Sequence, residues 1–429
     1  MFSTATRNAV LQIPWGKIAS LWLYLSACAL LLSGSTIYAA DPIERIRAFT
    51  RPIEFDYMSW ISDAAYLKIG QSALRTAQFL SPEERKRLVL DYLALIRSIE
   101  EADRELNRIY ADPQVTDPYE ASQDVRKQLS TLRKKEAQIA PIAESILEDQ
   151  LSTIIARMGL ALGGQPIPPV SYHVSPLPSS LIVSPREVIR QEANISLKVG
   201  LTTDQKEALE AQVDRALNVS SLVVAVGGIG VYPTMVMQTT DLNWLSEVIA
   251  HEWIHNFLSF RPLGVNYGTS GELRTMNETA ASIGGKELGR ALIETYYPEF
   301  LPPPPPETPP QPPPPDPSQP PPFDFRKEMY ITRLRVDELL AQGRVEEAEA
   351  YMEQRRIFFW ENGYPIRKLN QAYFAFHGAY ADEPVGAAGE DPIGAAVRKL
   401  RAQSPSLAAF LNRISWMWSP QQLLEAVGG

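Results

Sequence analysis

The stretch AHEWIHN, residues 250–256, sets two of the chain's four histidines four positions apart, with a glutamate directly after the first. On a helix, positions i and i+4 share one face. His251 and His255 can therefore aim both imidazoles at a single ion, at the roughly 2.0–2.1 Å of a zinc–nitrogen bond. Glu252 sits beside that face, placed to take a proton from a water held at the ion. Zn2+ there would acidify the water and polarise a carbonyl, and the glutamate would pass the proton to a leaving amine.

Catalytic zinc takes three protein ligands and keeps one position open. The one cysteine, Cys28, lies far upstream and no third histidine is near, so a carboxylate must complete the set. The stretch GELRTMNETAASIGGKELGRAL offers three. Glu278 begins a helical stretch whose Ala280, Ala281, Ser282, Gly284 and Gly285 would let two helices pack closely. Glu272 lies in a glycine-containing loop, and Glu287 in later turns.

These residues need a scaffold. Asp241 caps a helix over LNWLSEVIAHEWIHNFLSF, with Leu242, Leu245, Val248, Ile249 and Ile254 supplying apolar contacts. Before it, VSYHVS, ISLKVGL and SLVVAVGGIGVYPTMVMQT read as strands, and TTDQKEALEAQVDRALN as a capped helix between the last two. The fold class expected is α+β. The glycine-rich VGGIGVYP is either an edge that pairs an extended peptide or a plain hairpin. His173, in the first strand, reads as structural.

Upstream, residues 42–165 read as long helices. Ser81-Pro82-Glu83-Glu84 is a helix start, Leu88, Tyr92, Leu95, Ile96 and Ile99 follow at helical spacing, and Pro141 should bend or break a second helix. This region reads as a spacer or packing platform without chemistry. Residues 166–429 form the histidine-bearing domain, interrupted at 302–322 by a nearly pure proline run that reads as a stiff polyproline II insertion.

Arg7 and Lys17 precede the uncharged stretch 18–40, whose length suits a membrane helix of roughly 20 residues. Residues 1–41 are thus expected to form a cytoplasmic tip and anchor, with all that follows on the extracytoplasmic side. Cleavage near Ala39 or Ala40, giving a secreted form, and lipidation at Cys28 are the competing outcomes. The net charge of −9 argues against a nucleic-acid partner. One cysteine excludes disulfides within the chain and thiolate zinc sites.

HEWIH followed by NETAA resembles the gluzincin metallopeptidases, whose zinc is bound by the histidines of HExxH and a glutamate on a downstream helix. The nearest likeness is to the predicted-aminopeptidase group, in which a late R..N.A helix follows; here that is Arg367, Asn370, Ala372 and Tyr373. The resemblance covers about residues 222–381. It implies a zincin-like catalytic domain, His251, His255 and Glu278 as ligands, Glu252 as general base, and a peptide or protein substrate. It also suggests an oxyanion-binding role for His377 or Tyr380, although a packed helix face would explain those residues equally. Ser282 stands where thermolysin-like members carry an aspartate that orients the first histidine, and the GxMEN exopeptidase motif is absent. A non-catalytic envelope scaffold on a relic zincin fold, or a metal-dependent hydrolase of another substrate, are the alternatives. The intact Glu252 argues against a relic.

Overall fold

The computed structural model describes residues 22–26, 41–74, 76–111, 114–302, 323–379 and 392–428. The chain divides into two compact units, Met1–Arg51 and Pro52–Gly429. In the first, α1 (Pro42–Thr50) begins at Asp41, whose carboxylate accepts from Ile43 N at 2.9 Å. Residues 22–26 are helical, but the remainder of the expected membrane span at 18–40, with Cys28, lies outside the described residues. Among the described residues no helix is long and apolar enough to cross a membrane. The proline-rich insertion also lies outside them, except for Pro302.

The second unit is of the α+β class, dominated by helices. Its first helices are α2 (Tyr57–Leu74), α3 (Pro82–Ala111) and α4 (Gln123–Arg157). Of the bend or break expected at Pro141, the break does not occur: α4 runs on through it as one 35-residue helix. Val89 and Ile96 of α3 and Ile146 and Leu151 of α4 join one hydrophobic core with Ile249 and Ile254 of the histidine-bearing helix α6 (Leu242–Leu258). Residues on both sides of position 165 thus contribute to one core. The upstream helices are part of the platform on which the site is built.

Two three-stranded sheets complete the frame, besides a two-stranded antiparallel ladder pairing Ala161–Leu162 with Gln165–Pro166. One has β2 (Ser179–Pro185) between β3 (Ala193–Leu197) and β4 (Val219–Val224), all antiparallel. Residues 53–55 extend its outer edge: Phe55 N donates to Ser196 O at 2.9 Å and Lys198 N to Ile53 O at 2.7 Å. The other sheet runs β1 (Tyr172–Val174), β6 (Thr234–Val236), β5 (Gly228–Ile229); β1 is parallel to β6, and β5 antiparallel to it. Buried charge pins β1 to the helices. Glu144 accepts from Val174 N at 2.9 Å and meets His173 Nδ1 at 3.0 Å, Glu148 accepts from Tyr172 N at 2.8 Å, and Lys68 bridges the two carboxylates.

Between β3 and β4 lies α5 (Thr203–Leu217), opened by a reciprocal cap between Thr202 and Gln205. The helix α7 (Gly271–Tyr296) packs along α6. Beyond it, α8 (Phe325–Ala341) and α9 (Val345–Glu361) form a hairpin with its own small core around Met329, Met352 and Phe359. Then α10 (Gln371–His377) lies on the first sheet, and α11 (Pro392–Gln403), α12 (Leu407–Ser415) and α13 (Pro420–Ala426) close the main core.

Candidate metal centre

The Asp241 side chain accepts from Trp244 N at 3.1 Å and fixes the start of α6. Leu242, Leu245, Ile249, Trp253, Ile254 and Phe257 are buried around it, which leaves His251, Glu252 and His255 to face a cleft of about 510 Å³. Ser270 caps α7 through Leu273 N. Along α7 a run of polar side chains is buried: Arg274, Thr275, Asn277, Glu278, Thr279 and Ser282. Burying so many polar groups is costly unless each has a partner or a task.

The two helices approach closely because glycine faces α6. A Cβ on Gly289 would sit 2.8 Å from Glu247 N, and one on Gly285 3.0 Å from both Glu247 O and His251 Cβ. That approach brings Glu278 to the histidines. His251 Nε2 and His255 Nε2 are 3.0 Å apart, and Glu278 Oε2 lies 3.5 Å from the first and 3.3 Å from the second. Three ligand atoms about 2.05 Å from a tetrahedral ion stand about 3.3 Å from one another. The observed triangle has that size, and among the described residues it is the one group of three with such spacing. Glu278 Oε2 is buried without a hydrogen-bond partner, as a ligand atom would be. The residues present fit an ion such as Zn2+.

The other two carboxylates are elsewhere. Glu272 is exposed in the first turn of α7, and Glu287 makes a two-pronged pair with Arg401 at 2.7 and 2.8 Å.

Side chains behind the candidate ligands orient them. His255 Nδ1–H donates to Asn277 Oδ1 at 2.8 Å, and Asn277 Nδ2 donates to Leu263 O at 3.3 Å, which fixes the amide's sense. This leaves the Nε2 lone pair of a neutral His255 directed at the triangle. Ser282 Oγ is 3.5 Å from His251 Nδ1. Tyr267, between the helices, donates its phenol proton to Glu278 Oε1. Sequence reading missed Tyr267 and Asn277; the asparagine beside Glu278 in NETAA was a usable signal for the second, whereas nothing local marked the first.

Electrostatics follow from the confinement. Burial raises the Glu252 carboxyl, opposed by both imidazoles. Burial would lower His255, but the Glu278 carboxylate wins and pushes it up to about 9, while Glu278 itself is held well below the ordinary range by the histidines despite its burial. Without an ion, the buried carboxylate keeps a proton on His255. Divalent metal binding would release it.

The edge strand β5 passes over Glu252. A Cβ on Gly228 would lie 2.5 Å from Glu252 Oε1, and one on Gly230 3.3 Å from Oε2. Val226, Ile229, Val231 and Phe376 add apolar surface to the cleft, and Ser180, Asn194, Ser196 and Tyr57 a neutral polar wall, with Tyr57 Oη 2.7 Å from Ser196 Oγ. Tyr57 thus brings the supposed spacer region into the cleft.

The late motif serves docking. Arg367 reaches buried Glu210 at 2.6 and 3.0 Å; Asn370 caps α10 through Tyr373 N and donates to Ser221 O at 2.9 Å; Ala372 is buried against β2 and β4. Arg274 of α7 holds the carbonyls of Ala375 and Phe376 at the end of α10. His377 packs between Tyr373 and Phe376, with ring centroids 4.4 and 5.1 Å away, and is not among the residues lining the cleft. Burial pushes it down to about 4. Tyr380 lies outside the described residues.

No model of a known protein family, no curated protein and no solved structure matches this chain.

Proposed function

We propose that the chain is a zinc-dependent metallopeptidase of the gluzincin type, acting on peptide or protein substrates on the extracytoplasmic side. The observation that carries this reading is the triangle of His251 Nε2, His255 Nε2 and Glu278 Oε2, with edges of 3.0, 3.3 and 3.5 Å, beside a buried Glu252 in an open cleft. Two imidazoles and one carboxylate are a donor set suited to zinc.

A bound Zn2+ would supply Lewis-acid polarisation of the scissile carbonyl and a more acidic water. His251, His255 and Glu278 would hold it, steadied by Ser282, Asn277 and Tyr267. Glu252 is the proton carrier: its raised pKa makes it a better acceptor near neutrality, and it hands the proton to the leaving nitrogen. The edge strand β5, with Gly228 over Glu252 lacking a side chain, offers an extended peptide a strand to lie along. Oxyanion stabilisation by His377 or Tyr380 remains part of the proposal, requiring movement of His377 toward the cleft. The extracytoplasmic site of action rests on Arg7, Lys17 and the uncharged stretch 18–40.

The deciding experiment is Glu252→Gln in purified protein. It should retain one zinc per chain and lose hydrolysis of a mixed peptide library. Wild-type turnover in the variant would refute the mechanism, and a wild type that binds zinc yet cleaves nothing would favour the scaffold alternative.

A further inference from the structure

We infer that Tyr267 restricts Glu278 to one-oxygen coordination, so that the carboxylate fills a single position at the ion and another stays open for substrate. The inference rests on the metal-site reading above and concerns how that site is kept catalytic.

The two oxygens of Glu278 have different surroundings. Oε1 accepts the Tyr267 phenol proton, whereas Oε2 has no hydrogen-bond partner and faces both imidazoles. Arg274, one turn earlier on the same helix, gives its Nη atoms to the Ala375 and Phe376 carbonyls, while its Nε is buried without a hydrogen-bond partner. Tyr267 is also held in place. Its backbone N–H donates to Gly264 O at 3.1 Å, the neighbouring Asn266 side chain donates to Pro262 O at 2.8 Å, and its ring stands edge-on to His255 with centroids 6.1 Å apart. One side chain thus touches two of the three candidate ligands. If the phenol were removed, Oε1 would lose its one hydrogen-bond donor, and a nearby divalent ion would compete with the Arg274 Nε–H for its lone pairs. The carboxylate would then chelate through both oxygens and occupy the open position.

The test uses the full chain loaded with Co2+, whose visible absorption is strong in four-coordinate and weak in five-coordinate sites. Tyr267→Phe keeps the ring against His255 and removes only the hydroxyl. We expect an intense band in the wild type and a several-fold weaker one in Tyr267→Phe at the same bound stoichiometry. Identical spectra would overturn the inference. If Tyr267→Phe does not fold, the wild type decides: an intense four-coordinate band supports one-oxygen binding, and a weak five-coordinate band overturns it. A wild type that binds no Co2+ would instead sink the metal-site reading, and this inference with it.

Discussion

Gly228 lies directly against the carboxyl group of Glu252: a methyl group on its α-carbon would sit 2.5 Å from Oε1 and 2.8 Å from Cγ. The edge strand of one sheet and the proposed base on the neighbouring helix therefore share a space that no side chain larger than hydrogen can enter. Gly228→Ala must displace either the strand or the glutamate. Turnover is expected to fall about 100-fold, as small misplacements of reacting groups do, while zinc content stays at one per chain. Unchanged turnover would show that Glu252 is not positioned by this contact.

The ligand assignment predicts an order of metal affinities, measurable by competition with a chromogenic chelator. Glu278→Ala should weaken binding most. Asn277→Ala, which removes the acceptor for His255 Nδ1–H, should cost about 10- to 100-fold. Glu272→Ala, at an exposed position, should leave affinity unchanged. Equal losses from Glu272→Ala and Glu278→Ala would contradict the site described.

Stability should depend on the pair that docks the late helix. Glu210 is buried and takes 2.6 and 3.0 Å bonds from Arg367, with Val223 N donating at 2.7 Å. Arg367→Ala strips a buried carboxylate of its main counter-charge, and urea unfolding should register a loss on the order of 2 kcal/mol. A change within a few tenths would mean that Lys368, 3.6 Å away, can take over.

The buried cluster behind β1 predicts a pH dependence remote from the candidate metal centre. Burial pushes Glu148 up to about 6, against the pull of Lys68. Burial acts the same way on Glu144, yet Lys68 and the His173 hydrogen bond hold it at about 2. From about pH 4.3, where an unfolded glutamate titrates, up to about 6, the folded chain keeps a proton on Glu148 that the unfolded chain has lost. In that window stability contributed by Glu148 declines as pH rises. Glu144 acts oppositely, its contribution being lost as pH falls from about 4.3 to about 2. Glu148→Gln should remove the upper slope and spare the lower one, as read from urea midpoints between about pH 2 and 6.5. An unaltered upper slope would mean that other groups produce it.

What the sequence determined by itself is local. The i, i+4 spacing of His251 and His255, the caps at Asp241 and Thr202, and the alternation of β-branched runs with capped helices follow from backbone periodicity and end chemistry, and each is found where the sequence puts it. Even so, the central strand Ser179–Pro185 went unread, because a short apolar run between prolines carries no period of its own.

Tertiary structure decided the rest. Glu272, Glu278 and Glu287 were chemically equivalent in the sequence. On one helix, at about 100° per residue, Glu272 and Glu287 point about 120° and 180° away from Glu278, so at most one of them can face α6. The glycines at 285 and 289 then fix which face packs inward. The Arg367 and Asn370 motif became a docking device only because Glu210 and Ser221 stand opposite it. Tyr57 and Tyr267 reached the cleft from a region that reads as spacer and from a loop. Contacts between residues far apart in the chain leave no local pattern, since they are selected by the shape of a shared core and not by the spacing of neighbours.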